Sequence, residues 1–266
     1  MATVTVRGVR FGCEERGQGR PAFVFIHGWA CDRTVWAPQL DDLSRDFRCL
    51  AVDLRGRGES EAVPPYDIGT AADDVAELIR TFELAPVIAV GHSLGGLVAL
   101  LLNRRHPELV CGIVLGDSPL TAAAQGFERT ITAIRAAGGM EPVRGFVESF
   151  FSEATPSAVR QAVLDLMLSC PADVAAGMLE EAAFLRTELP SLLREADEKP
   201  FMAIWAARPL GDPSKLRELT RFVRQELVPA GHFFQLEQPA MTNALLRAFV
   251  DDVRRDPRLE RRGIVV

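Results

Sequence analysis

Val87-Ile88-Ala89-Val90-Gly91-His92-Ser93-Leu94-Gly95-Gly96 decides how this chain folds. Residues 87–90 are a short apolar run of the kind that makes a strand buried on both faces. Residues 96–102 continue as an unbroken apolar run with helical character. Between them stands G-x-S-x-G, which in a strand-to-helix setting describes a nucleophile elbow, a turn so tight that its central residue is pushed up and out. Ser93 is that residue. The positions two before and two after it must be small, because larger side chains collide where the backbone folds back, and Gly91, Gly95 and Gly96 meet that need.

Outward from the elbow, strands alternate with helices. Residues 3–7 and 9–15 alternate apolar and polar around Gly8 and predict an antiparallel pair at a sheet edge. Residues 22–26, 47–52 and 111–115 are continuous apolar runs and predict interior parallel strands. Helices are expected over 35–43 and 70–82, the second with Asp73 and Asp74 early, where the helix dipole favours acids. From 120 to 199 the rhythm changes: no strand pattern appears, and helical segments are broken at Gly138-Gly139, Pro142, Pro156, Pro171 and Pro190. Strands at 201–206 and 225–228 then alternate with helices at 213–223 and 240–253. The expectation is an α/β fold, a mostly parallel eight-stranded sheet flanked by helices. Its core is formed by residues 1–119 and 200–266, and 120–199 is an inserted helical lid.

The whole-chain balance narrows the function. The 266 residues are 48% hydrophobic and 25% charged, as in an ordinary globular protein, and the formal net charge is −6. Basic runs such as Arg104-Arg105 and Arg261-Arg262 are short, so nucleic acid is not an expected partner. No stretch reaches the roughly 18 apolar residues needed to cross a membrane, and the N-terminus lacks the pattern of a signal peptide, so a cytoplasmic protein is expected. The five cysteines (13, 31, 49, 111 and 170) are odd in number and without CxxC spacing. They read as reduced, mostly buried thiols, with no disulfide framework, no metal site and no cofactor.

A serine hydroxyl needs a base to take its proton. Of four histidines, His27 belongs to the turn after a strand, His92 adjoins Ser93 and points elsewhere, and His106 precedes a proline at a helix end. His232 lies late in the chain, in the loop after the last strand, where it can swing over the carboxyl edge of the sheet; it is the expected base. An oxyanion needs two preorganised N–H donors. The amide of Leu94, next after the serine, supplies one, and the amide of Trp29 in His27-Gly28-Trp29 is the candidate for the other.

Together, His27-Gly28-Trp29, the run Asp53-Leu54-Arg55-Gly56-Arg57-Gly58-Glu59-Ser60, Gly91-His92-Ser93-Leu94-Gly95-Gly96 and Gly231-His232-Phe233 resemble the α/β-hydrolase superfamily along nearly the whole chain. Within it, HGW followed by GHSLGG is similar to small serine carboxylesterases such as the pimeloyl-ester esterases. The resemblance implies a lid after the sixth strand and a Ser–acid–His triad. The acid departs from the usual pattern. Where most members carry W-G-x-x-D, this chain reads Trp205-Ala206-Ala207-Arg208-Pro209, and proline cannot orient a histidine. Asp117, directly after the sixth strand, is favoured, because some members carry their acid there. Asp212 is the alternative, although Asp212-Pro213 also reads as an ordinary helix cap. Asp53 reads as a brace for its own loop.

The expected reaction is hydrolysis of a carboxylic ester or lactone through an acyl-enzyme on Ser93, with His232 as general base. Phenylalanines 127, 146, 150, 151 and 184, with Met178 and Leu185, favour an apolar small-molecule substrate. Arg33, Arg55 and Arg208 are the candidates for holding an anionic group. Three alternatives share the fold: a cofactor-free ring-cleaving dioxygenase, a C–C bond hydrolase, and a ligand receptor without turnover.

Overall fold

A computed structural model describes residues 2–120, 124–185 and 187–266, with the side chains of 2, 124–126, 183 and 184 left undescribed, so the expected role of Phe184 lies outside the described residues. Eight strands form one sheet: β1 (Ala2–Val6), β2 (Val9–Arg16), β3 (Ala22–Ile26), β4 (Cys49–Val52), β5 (Val87–His92), β6 (Val110–Gly116), β7 (Phe201–Trp205) and β8 (Arg224–Leu227). They lie in the order β1-β2-β4-β3-β5-β6-β7-β8. The first two are antiparallel to their neighbours, and every pairing from β4 to β8 is parallel. Every residue of β3, β4, β5 and β6 is buried, because helices cover both faces. The elbow strand, β5, is therefore central, between β3 and β6.

The helices are α1 (Ala37–Leu43), α2 (Ile68–Thr81), α3 (Leu94–Arg105), α4 (Ala124–Ala137), α5 (Arg144–Glu148), α6 (Ser157–Leu168), α7 (Ala172–Phe184), α8 (Leu189–Ala196), α9 (Pro213–Leu219), α10 (Phe234–Glu237), α11 (Pro239–Arg255) and α12 (Pro257–Arg261). No single helix among the described residues is long and apolar enough to cross a membrane.

Three local expectations need correction. The helix expected at 35–43 opens with a 3-10 turn, Arg33–Trp36, capped by Asp32. The helix α2 starts earlier than expected because the Asp67 side chain accepts from Thr70 N at 2.5 Å. Asp73 and Asp74 therefore sit beyond its first turn and serve as partners instead: Asp74 holds Arg7 and Arg55, and Asp73 holds Arg105 and His106. Finally, α9 stops at Leu219 because the Asp197 carboxylate takes the amides of Arg221 and Phe222, the latter at 3.0 Å, which pulls the chain out of helical register.

Between β6 and β7 the described residues form only helices and turns. Helices α4 and α7 pack on each other, while α8 lies against α3, where Arg104 reaches Glu188, Ser191 and Glu195. The α5–α7 segment is tied down at the carboxyl edge of the sheet. Trp29 Nε1 donates to Ala175 O at 2.8 Å, Arg57 Nη2 to Leu166 O at 3.0 Å, and Gly69 N to Glu181 Oε2 at 2.7 Å.

Candidate active site

Ser93 sits where β5 becomes α3, at φ 53° and ψ −123°. A non-glycine residue in that region is strained and persists only where its surroundings over-determine it. Here the surroundings are backbone. A Cβ on Gly91 would strike Gly95 O, and one on Gly95 would strike Ile26 O. The Ser93 amide donates to Gly116 O at 2.7 Å, fastening the elbow to β6. Leu94 is the first residue of α3, so its N–H is one of the four that a helix start leaves without an intrahelical partner.

Asp117 follows β6 directly and adopts φ 42°. Its amide donates to Ile204 O at 2.7 Å, keeping it in line with β7, and it is fully buried. One carboxylate oxygen, Oδ1, faces the amide of Leu210 at 3.2 Å. The other, Oδ2, lies 2.7 Å from His232 Nδ1. The ring nitrogen facing a carboxylate carries the proton, which leaves Nε2 with a free lone pair. Asp212 is elsewhere: at the surface it caps α9, accepting from the Ser214 hydroxyl at 2.5 Å, Ser214 N at 2.9 Å and Lys215 N at 3.3 Å, and these bonds, the hydroxyl first, hold its carboxyl below the usual range.

The remaining two buried imidazoles are braces. His27 donates from Nδ1 to Gly28 O at 2.8 Å and accepts Leu54 N at Nε2 at 2.9 Å, a pattern that only the neutral ring satisfies. Its burial lowers its pKa accordingly. His92 donates from Nε2 to the main-chain carbonyl of His232 at 2.8 Å. Burial, reinforced by neighbouring His232, pushes His92 well below the ordinary histidine value, so it stays neutral at pH 7 and adds no positive charge beside His232. Its strut-like role carries no signal in the sequence.

The His27-Gly28-Trp29 turn passes directly over the elbow: a Cβ on Gly28 would stand 3.1 Å from Ser93 Cβ. That places the Trp29 backbone beside the serine, while its indole reaches away to Ala175. The adjoining Asp53 loop is internally braced, as expected. Asp53 accepts Arg33 N at 2.8 Å and Glu59 N at 2.9 Å, and it pairs with the Arg33 guanidinium.

Ser93, His232, Trp29 and Leu94 line one apolar cavity of about 40 Å³, together with Cys31, Phe146, Phe150, Met167 and Leu179. Asp117 stands behind His232, out of the cavity. Phe150 packs its ring 4.7 Å from that of His232, and Phe146, 40% exposed, bridges Phe150 and Trp29 at 4.9 and 6.1 Å. Among the described residues no hydrogen bond joins Ser93 Oγ to His232. None of the candidate cations lines the cavity: Arg33 is engaged with Asp53 and Glu59, Arg55 with Asp74, and Arg208 is exposed. All five cysteines are buried free thiols.

Comparison with known proteins agrees with this architecture. A model described as the alpha/beta hydrolase family matches residues 23–245. The AB hydrolase superfamily protein YisY of Bacillus subtilis is 29% identical over 260 residues, covering 89% of this chain and 93% of its own. A pimeloyl-[acyl-carrier protein] methyl ester esterase of Vibrio atlanticus is 32% identical over 194 residues, 66% of this chain and 73% of its own. Among solved structures, the enol-lactonase of Burkholderia xenovorans superposes with a TM-score of 0.83 at 21% identity, covering 94% of this chain and all of that one. With its family model spanning both the elbow and the His232 loop, this chain belongs to the alpha/beta hydrolase family.

Proposed function

We propose that this hydrolase cleaves a small, uncharged carboxylic ester or lactone through an acyl-enzyme on Ser93. The observation that carries the reading is the buried His232–Asp117 pair, 2.7 Å apart, whose free ring nitrogen belongs to a residue lining the same cavity as Ser93. Ser93 Oγ attacks the carbonyl carbon while His232 Nε2 takes the hydroxyl proton. Asp117 keeps the imidazole in the right tautomer and stabilises the imidazolium without taking the proton itself. The tetrahedral oxyanion is held by the Leu94 and Trp29 amides, and loss of one such donor typically costs a factor of about 10²–10³ in kcat. Collapse expels the alkoxide, which receives the proton from His232. Water, deprotonated by the same nitrogen, then releases the acid.

The lid assignment for 120–199, against a core of 1–119 and 200–266, belongs to this proposal, as does the substrate class. Apart from the Ser93 hydroxyl, the cavity walls named above are aliphatic, aromatic or sulfur-bearing, and no Asp, Glu, Lys or Arg of the described residues lines it. A carboxylate-bearing acyl group would enter without a counter-charge there. The esterase and enol-lactonase names of the relatives agree with ester or lactone chemistry.

The test is a p-nitrophenyl acetate assay. A burst of p-nitrophenol equal to the enzyme concentration, absent in Ser93→Ala, is expected; full turnover by that variant would sink the acyl-enzyme. One observation favours a second reading. Because Ser93 Oγ is not hydrogen-bonded to His232, the His232–Asp117 pair is also placed to take a proton directly from a substrate, as a cofactor-free dioxygenase requires. Oxygen uptake with a hydroxyquinolone-type substrate, retained in Ser93→Ala, would choose that reading.

A further inference from the structure

The main chain of His232 is held from both sides. His92 Nε2 donates to its carbonyl from the elbow side, and its own amide donates to Phe150 O at 2.9 Å from the α5–α6 connection. That second bond has support of its own. One residue before the base, Gly231 N donates to Glu237 Oε2 at 3.0 Å, and the same oxygen accepts the Thr155 hydroxyl at 2.9 Å. Thr155 Oγ1 in turn accepts Ser152 N at 3.0 Å. The other oxygen, Glu237 Oε1, is buried without a partner and packs so closely on Gly231 that a Cβ there would approach it to 2.6 Å. Phe151 stacks on Phe233, with ring centres 6.1 Å apart.

We infer that Glu237 is a positioning residue which, through Thr155, latches segment 150–155 onto the His232 loop, so that closing the lid and aligning the base are one event. The inference rests on the proposed role of His232. A single carboxylate oxygen joins Gly231, beside the base, to Thr155, at the foot of the lid, and the bond it reinforces, His232 N to Phe150 O, runs between the same two segments. The cavity offers about 40 Å³ of free space, well short of the roughly 300–1,000 Å³ of an ordinary ligand pocket, and in this inference Phe146 and Phe150 swing aside to admit the substrate. When segment 150–155 moves as a unit, it takes both the carbonyl and the ring of Phe150 away from His232. The base is therefore fully braced only after the lid has returned over the substrate. This arrangement delays activation of Ser93 until water has been displaced.

Thr155→Val keeps the volume of the side chain and removes its hydroxyl, which is both the donor to Glu237 and the acceptor of Ser152 N, and Thr155→Ser restores both roles. Hydrogen exchange is read on peptides covering 150–155 and 229–237, beside the rate at which a fluorophosphonate labels Ser93. Thr155→Val should raise exchange in both peptides together and slow labelling about tenfold, and Thr155→Ser should restore both. Faster exchange in 150–155 with 229–237 as protected as in the parent overturns the latch. So does an unchanged labelling rate once both peptides have loosened. A parent enzyme that is not labelled at Ser93 at all overturns the acyl-enzyme reading instead, and the exchange measurement then decides the latch by itself.

Discussion

His232 Nδ1 and Asp117 Oδ2 meet at 2.7 Å although 115 residues separate them in the chain. The carboxylate comes from the end of β6, one strand away from the serine, and not from the end of β7, where Pro209 stands. The remaining Asp117 oxygen faces the Leu210 amide at 3.2 Å, so the β7 loop serves the acid with its backbone.

Exchange of Asp117 for Asn tests that relationship. The amide keeps the shape but lets the imidazole settle in the wrong tautomer, and kcat for p-nitrophenyl acetate should fall by about 10⁴ with little change in KM. Asp212→Ala removes only a helix cap and should leave kcat at the parent value while lowering Tm. Equal losses in the two variants would contradict the assignment.

The elbow should tolerate no side chain at Gly95. A Cβ there meets the carbonyls of Ile26 and His27, both main-chain atoms of a central strand and its turn. Gly95→Ala should lose roughly 1–3 kcal/mol in urea unfolding, the usual cost of overpacking. An unchanged midpoint would show that the turn is looser than its geometry indicates.

Phe146 stands at the cavity rim, partly exposed and packed on Phe150 and Trp29. Phe146→Ala should widen acceptance of longer acyl chains, raising the hexanoate-to-acetate ratio of kcat/KM about tenfold, the size expected for a few added methylene contacts. The same ratio in parent and variant would move the acyl site away from this rim.

Alkaline stability should be limited by the buried thiols. Burial pushes Cys13, Cys49 and Cys111 up to about 12 and Cys170 up to about 11, from an ordinary value of 9.0. A raised folded pKa means that the folded chain binds the proton more tightly than the unfolded chain. The stabilisation is fully present below pH 9 and is lost as pH rises toward 11–12, at about 1.4 kcal/mol per unit for each thiol. Urea midpoints should hold up to about pH 9 and drop steeply above it. Replacing Cys111 by Ala should make that drop shallower.

Much of the fold is legible from local pattern. The fully buried strands announce themselves as continuous apolar runs because a parallel sheet covered on both faces has no polar side. The elbow is legible because only glycine fits two positions before and two after Ser93. The start of α2 and the end of α9 were less so. Each is set by one carboxylate, Asp67 or Asp197, and the second of these acts from more than twenty residues away.

Sequence alone marked the strands, the elbow and the candidates Ser93, His232, Trp29 and Leu94, because each is carried by a local pattern. It favoured Asp117 and kept Asp212 as the alternative, and it assigned no role to His92, Thr155 or Glu237. Only the tertiary structure decided which carboxylate meets His232, because that depends on strand order: β6 lies beside β5, and the turn at Asp117 aims its carboxylate at the His232 loop, whereas Asp212 turns its Oδ1 to the start of α9. The bracing of His232 from the elbow and from segment 150–155 is likewise tertiary, since its hydrogen bonds join segments that no local pattern relates.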